Sequence, residues 1–105
     1  MQHDVIAVYL TFPDEACAER IARLLVESRL AACVNVFPGA RSIFRWDGAV
    51  TTEVEVVALA KTSTARLEAL TEAVREAHPY QVPCVVAYPA LGGEPNYLKW
   101  VREET

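Results

Sequence analysis

Residues 5–11, Val-Ile-Ala-Val-Tyr-Leu-Thr, form an almost unbroken apolar run with β-branched and aromatic members, the pattern of an interior strand covered on both faces. Pro13 ends the run. Asp14 is placed to cap a helix, and Glu15 suits its positive end. From there to Leu30, Cys17, Ile21, Leu24 and Leu25 recur at helical spacing with Ala18 and Ala22 beside them, while Glu19, Arg20, Arg23 and Glu27 take the other positions. This predicts an amphipathic helix lying on a sheet.

Residues 33–46 and 49–61 are two β-rich runs separated by Asp47-Gly48, a strong hairpin signal because a two-residue type I′ turn needs positive φ at both central positions. Pro38-Gly39 interrupts the outgoing limb and predicts a bulge there. On the return limb Val50, Thr52, Val54, Val56, Ala58 and Ala60 alternate with Thr51, Glu53, Glu55, Val57, Leu59 and Lys61. The second set turns from polar near the turn to apolar near the base, so the base is expected to be buried on both faces and the tip on fewer. Fully extended, this limb reaches ~43 Å at ~3.3 Å per residue, against a radius of gyration of ~13 Å for a domain of this size. The hairpin should overhang its own core and present edges that a neighbour must pair or cover.

Thr62 or Ser63 is placed to cap a second helix, with 64–66 as its first turn and Leu67, Leu70, Val74 and Ala77 as its apolar stripe; His78-Pro79 stops it. Residues 84–88 read as a short last strand and 97–103 as a terminal helix presenting Tyr97, Trp100 and Val101. The order βαββαβ plus a helix gives an α+β ferredoxin-like sandwich, one domain over residues 1–105, with both main helices on one face of an antiparallel sheet. The other face needs cover. Together with the overhanging arm it implies a homo-oligomer of closed symmetry.

Composition narrows the partners. With 52% hydrophobic and 23% charged residues the chain is globular. A net charge of −4 gives no footprint for nucleic acid or an anionic membrane. No apolar run approaches a membrane span and Met1-Gln2-His3-Asp4 lacks the basic start of a signal peptide, so a cytosolic protein is expected. Cys17, Cys33 and Cys84 are odd in number and far apart, which suits reduced thiols better than a disulfide framework.

Several chemistries of this fold lack their residues. The loop after the first strand holds one cysteine, not the Cys-x-x-Cys pair of a soft-metal carrier, and it is acidic where a phosphate site wants Arg or a glycine nest. No strand carries an RNA-recognition motif, and neither a nucleophilic triad nor a catalytic carboxylate pair can be assembled, so no enzyme and no organic cofactor is expected. Candidate metal ligands are Cys33, His78 and Cys84, with Glu55, if folding brings them together; each also has an ordinary structural role. Lys61 ends a buried strand and needs a carboxylate, a carbonyl or solvent. It is a candidate for a ligand cleft with Trp46, Tyr80, Tyr97 and Glu55. Trp46, Tyr88, Tyr97 and Trp100 otherwise read as core and interface anchors.

Leu30-Ala31-Ala32-Cys33-Val34-Asn35, Pro38-Gly39 and Ser42-Ile43-Phe44-Arg45-Trp46-Asp47-Gly48 resemble the CutA divalent-cation tolerance proteins. So do Glu55-Val56, Lys61-Thr62, His78-Pro79-Tyr80-Gln81-Val82-Pro83 and Asn96-Tyr97-Leu98-Lys99-Trp100, which extends the likeness over essentially the whole chain. The resemblance implies a homotrimer, similar to PII signalling proteins, with sheets around the three-fold axis and hairpins joining subunits. It implies binding of copper or another divalent ion and no established reaction; animal relatives are linked to acetylcholinesterase assembly. It makes Cys33 and His78 candidates at a subunit interface. Cys84 stands where many relatives have Glu, and a thiol there favours a softer ion such as Cu(I). Two other readings stand beside ion homeostasis: a PII-like regulator holding a small anionic metabolite at Lys61, and an assembly scaffold.

Overall fold

The computed structural model describes residues 4–105; the first three residues of the Met1-Gln2-His3-Asp4 start lie outside them. The elements are β1 (Val5–Phe12), α1 (Glu15–Glu27), β2 (Cys33–Trp46), β3 (Ala49–Ser63), a 3-10 turn (Thr64–Arg66), α2 (Leu67–Ala77), β4 (Val85–Pro89) and α3 (Pro95–Glu104). The strands form one antiparallel sheet in the order β2-β3-β1-β4. This is the ferredoxin-like sandwich expected from the element order.

Period-two alternation divides the sheet into two faces. Val8, Leu10 and Phe12 of β1 and Val56, Ala58 and Ala60 of β3 pack against Ile21 and Leu25 of α1 and Leu70 and Val74 of α2, all buried. The intervening residues face away from these helices. At one end of that second face α3 sets Val101 against Val5 and Ala32, with Leu98 and Ala90 beside them. Over the rest, Tyr9, Val57 and Leu59 are half-buried and Phe37, Val86 and Tyr88 exposed. The base of β3 is thus fully buried on the helix face alone, where cover on both faces was expected.

The hairpin follows its local signals. Asp47 and Gly48 have φ of 51° and 78°, and the β2–β3 register shifts between Phe37 and Ala40. Without the extra residue at Pro38-Gly39, Cys33 would stand opposite Thr62, a residue of the buried face; the bulge sets it opposite Lys61 instead. β1 pairs with β3 from Val56 to Ser63, so residues 49–55 have β2 as their sole strand partner among the described residues. That overhang stretches the molecule to 43 Å against 27 and 23 Å across.

Boundaries differ where long-range contacts decide. α1 ends at Glu27, short of Leu30, because Arg29 turns to φ 59° and the amides of Arg29 and Leu30 bond back to Val26 and Leu25, a Schellman closure. Ala18 occupies the buried stripe, and Leu24 lies on the exposed flank. Neither Thr62 nor Ser63 caps α2. Val5 pairs with Ser63 and so extends β3, and the buried Thr62 donates its hydroxyl to Leu30 O at 2.7 Å. The first turn is 3-10. Cys84 precedes β4, and α3 begins at Pro95, where the Glu94 carboxylate accepts from Tyr97 N at 2.9 Å.

Candidate functional site

The predicted site residues separate into two groups at opposite ends of β3. Lys61 and Glu55 point to the same face but stand six residues apart, ~20 Å along a strand. Cys33, Lys61 and Tyr97 meet at the hairpin base; Trp46, Glu55, Tyr80 and Cys84 meet around a cavity nearer the tip, with His78 behind it.

At the base, Cys33 and Lys61 are direct cross-strand partners, and α3 lays Tyr97 over them. Tyr97 Oη lies 3.3 Å from Cys33 Sγ, the Lys61 ammonium sits 5.9 Å from the centre of the Tyr97 ring, and Trp100 lies against that ring at 5.6 Å. Lys61 Nζ donates to Asn35 Oδ1, and no carboxylate among the described residues pairs with it. The contact with Cys33 pushes the Tyr97 phenol up, burial adds to this, and the Lys61 charge opposes it.

The cavity, about 380 Å³, is lined by Thr11 of β1, Phe44 and Trp46 of β2, Glu53 and Glu55 of β3, and Tyr80, Gln81, Val82 and Cys84 of the segment before β4. The hairpin turn fixes its floor, since Trp46 pairs with Ala49 and Phe44 with Thr51, which sets both aromatics on the face that carries Glu53 and Glu55. Tyr80 Oη donates to Glu55 Oε2 at 3.0 Å. Burial first, then that bond and the charges of Glu55 and Glu53, push the Tyr80 phenol up to about 12. Burial also raises the Cys84 thiol, against the bond from Thr11.

His78 anchors this wall. Its Nε2 lies 2.7 Å from Thr11 O and can only donate there, so Nδ1 is the acceptor for Tyr80 N at 3.1 Å. Phe12 stacks on the ring at 5.2 Å and the Tyr80 ring lies tilted against it at 4.6 Å. Both nitrogens are therefore engaged. Among the described residues no three His, Cys, Asp or Glu side chains converge, so the residues of one chain do not fit a resident metal ion. Trp46, Tyr88, Tyr97 and Trp100, read as core or interface anchors, are all exposed in the single chain.

Glu53, Phe44 and Asn35 enter these groups without having been singled out. The signal for the first two was in the sequence: counting outward along both limbs from Asp47-Gly48 places them on the face of Glu55. Asn35 needs the bulge position as well.

The class that the fold defines is a ferredoxin-like chain with a bulged, overhanging β2–β3 hairpin. Residues 6–104 match the family described as "CutA1 divalent ion tolerance protein". The chain belongs to that family, whose members are tolerance proteins without known catalytic activity. The "Divalent-cation tolerance protein CutA" of Thermus thermophilus is 49% identical over 98 residues, 93% of this chain and 95% of that one. The solved divalent cation tolerance protein of that organism superposes with a TM-score of 0.95 at 48% identity, covering 96% of this chain and 98% of the other. The "Periplasmic divalent cation tolerance protein CutA" of Archaeoglobus fulgidus gives 0.92 at 36% identity, over 95% and 97%. That relative is named as periplasmic, so membership does not itself carry the cytosolic expectation. No helix among the described residues is long and apolar enough to cross a membrane.

Proposed function

We propose that the chain acts as a homotrimer that takes up copper or another divalent cation at sites completed between subunits. The observation that supports this is the pairing of an uncovered apolar sheet face (Tyr9, Phe37, Val57, Leu59, Val86, Tyr88) with an arm whose outer part has, among the described residues, no strand partner beyond its own hairpin. A second copy covers the first and pairs the second; the number three comes from the family resemblance. Because one chain holds Cys33 and Cys84 at opposite edges of the sheet, a shared ion site needs the tip region of one subunit to reach the base of the next. Cys33 and Cys84 are the leading ligands and suit a soft ion; His78 joins them only by giving up its bond to Thr11 O or to Tyr80 N. Three unpaired thiols suit a reducing compartment such as the cytosol. Copper titration of the reduced protein and of a Cys33→Ser/Cys84→Ser variant tests the assignment. Uptake should be lost in the variant; equal stoichiometry and affinity would remove both cysteines as ligands.

One observation favours a second reading. Lys61 is a half-buried ammonium without a carboxylate among the described residues, set over the Tyr97 ring. A small anionic metabolite completes that environment, in the manner of a PII-like regulator. A metabolite that raises the melting temperature of wild type but not of Lys61→Ala supports it.

A further inference from the structure

Glu55 is the carboxylate that the fold buries, with 9% of its surface exposed. Its hydrogen-bond partner is the neutral phenol of Tyr80, and no Lys, Arg or His among the described residues forms an ion pair with it. A carboxylate taken out of water without a cation is costly. Here it lines a cavity whose other walls include three aromatic side chains, Phe44, Trp46 and Tyr80, and a second carboxylate, Glu53. Glu53 is exposed, yet near enough for its charge to act on Tyr80. The negative charge, the aromatic rings and the size together define a complement.

A bare metal ion is a poor match, because three converging donor side chains are absent among the described residues and aromatic walls offer a small, strongly hydrated ion nothing. An organic cation uses every feature. Its charge meets Glu55, its apolar body replaces water against Phe44 and Trp46, and the ring quadrupoles attract it further. A cavity of about 380 Å³ is in the size range of small-ligand sites. We propose that this cavity binds a small organic ammonium ion, with Glu55 as the counter-charge and Trp46 and Phe44 as the walls. The proposal is independent of copper uptake, although Cys84 lines the same cavity.

The test is calorimetric titration of the protein as purified, with a chelator present, using n-butylammonium, its neutral near-isostere n-butanol, and copper in a separate chelator-free arm. Butylammonium should bind saturably and butanol should not. Glu55→Gln should weaken butylammonium about tenfold or more. Trp46→Leu keeps an apolar wall at an exposed position and so folds; it should weaken binding about three- to tenfold through the lost cation–π attraction. Cys33→Ser, at the hairpin base and outside the cavity lining, should leave amine binding within about twofold while abolishing copper uptake if Cys33 is a ligand, which separates the two readings. Equal binding of butanol, unchanged affinity in Trp46→Leu or in folded Glu55→Gln, or no saturable amine binding at all would overturn the proposal.

Discussion

Tyr80 gives its phenolic hydrogen to Glu55 at 3.0 Å, which ties the segment after α2 to the point where β3 leaves the body of the sheet. The bond spans 25 residues and closes one wall of the cavity. It also gives that wall a pH dependence. The Tyr80 phenol, ordinarily near 10.0, is held up to about 12 in the folded chain. A group whose folded pKa is raised contributes its stability in full below the unfolded value and loses it as the pH climbs through the folded one. Tyr80→Phe should therefore cost about 1–2 kcal/mol near neutrality, and the difference from wild type should shrink between pH 10.0 and about 12. Chemical denaturation at stepped pH measures it. A difference that stays constant over that window would mean that the phenol is neither buried nor bonded to Glu55 in solution as it is here.

Thr62 offers a test of a different kind. It is fully buried, and its hydroxyl donates to Leu30 O at 2.7 Å, where the chain leaves α1 for β2. Thr62→Val keeps the shape and removes the donor, so the carbonyl of Leu30 loses a partner inside the core. We expect a loss of about 1–3 kcal/mol, read from the urea midpoint at unchanged m-value. A loss below about 0.5 kcal/mol would assign the residue to packing alone.

Gly48 separates backbone strain from packing. Its φ is 78°, and an added Cβ would meet nothing within 4 Å, so Gly48→Ala tests conformation only. The expected cost is about 1 kcal/mol, and hydrogen exchange should place it in residues 40–55, leaving the amides of β1 protected. An effect spread over the whole sheet would show that the arm and the body unfold as one unit.

How much of this was legible depends on the distance over which each feature is decided. The turn at Asp47-Gly48 and the bulge at Pro38-Gly39 were readable because both are set by the φ and hydrogen-bonding limits of the residues themselves. Element order and fold class followed from periodicity. The cap of α2 was not readable: Thr62 has the chemistry of a cap, but pairing of Val5 with Ser63 draws it into β3, and that register belongs to the tertiary fold. Arg29 hid the end of α1 because a left-handed residue is expected to be Gly, and Arg carries no such signal. For the site, the sequence supplied the residues and not their division. Cys33 and Cys84 look equivalent as thiols, and only the strand order β2-β3-β1-β4 puts them at opposite edges of the sheet.

Assembly is the prediction that bears most on function. Phe37 and Val57 are cross-strand partners, as are Asn35 and Leu59, so Phe37 and Leu59 lie on the face turned away from α1 and α2, where Phe37 is 50% exposed. Neither is part of the buried cluster formed with those helices. A charge at either position therefore costs the isolated chain little, whereas in an interface it would be buried without a partner and cost several kcal/mol per copy. Phe37→Glu and Leu59→Glu should each convert the assembly to monomer in sedimentation velocity while the far-ultraviolet spectrum stays that of the folded chain. If the face is covered by a neighbour and the thiols act across that contact, copper uptake should fall with assembly. A trimer that survives both substitutions would move the interface elsewhere, and a monomer that still takes up copper at full stoichiometry would place the ion within one chain.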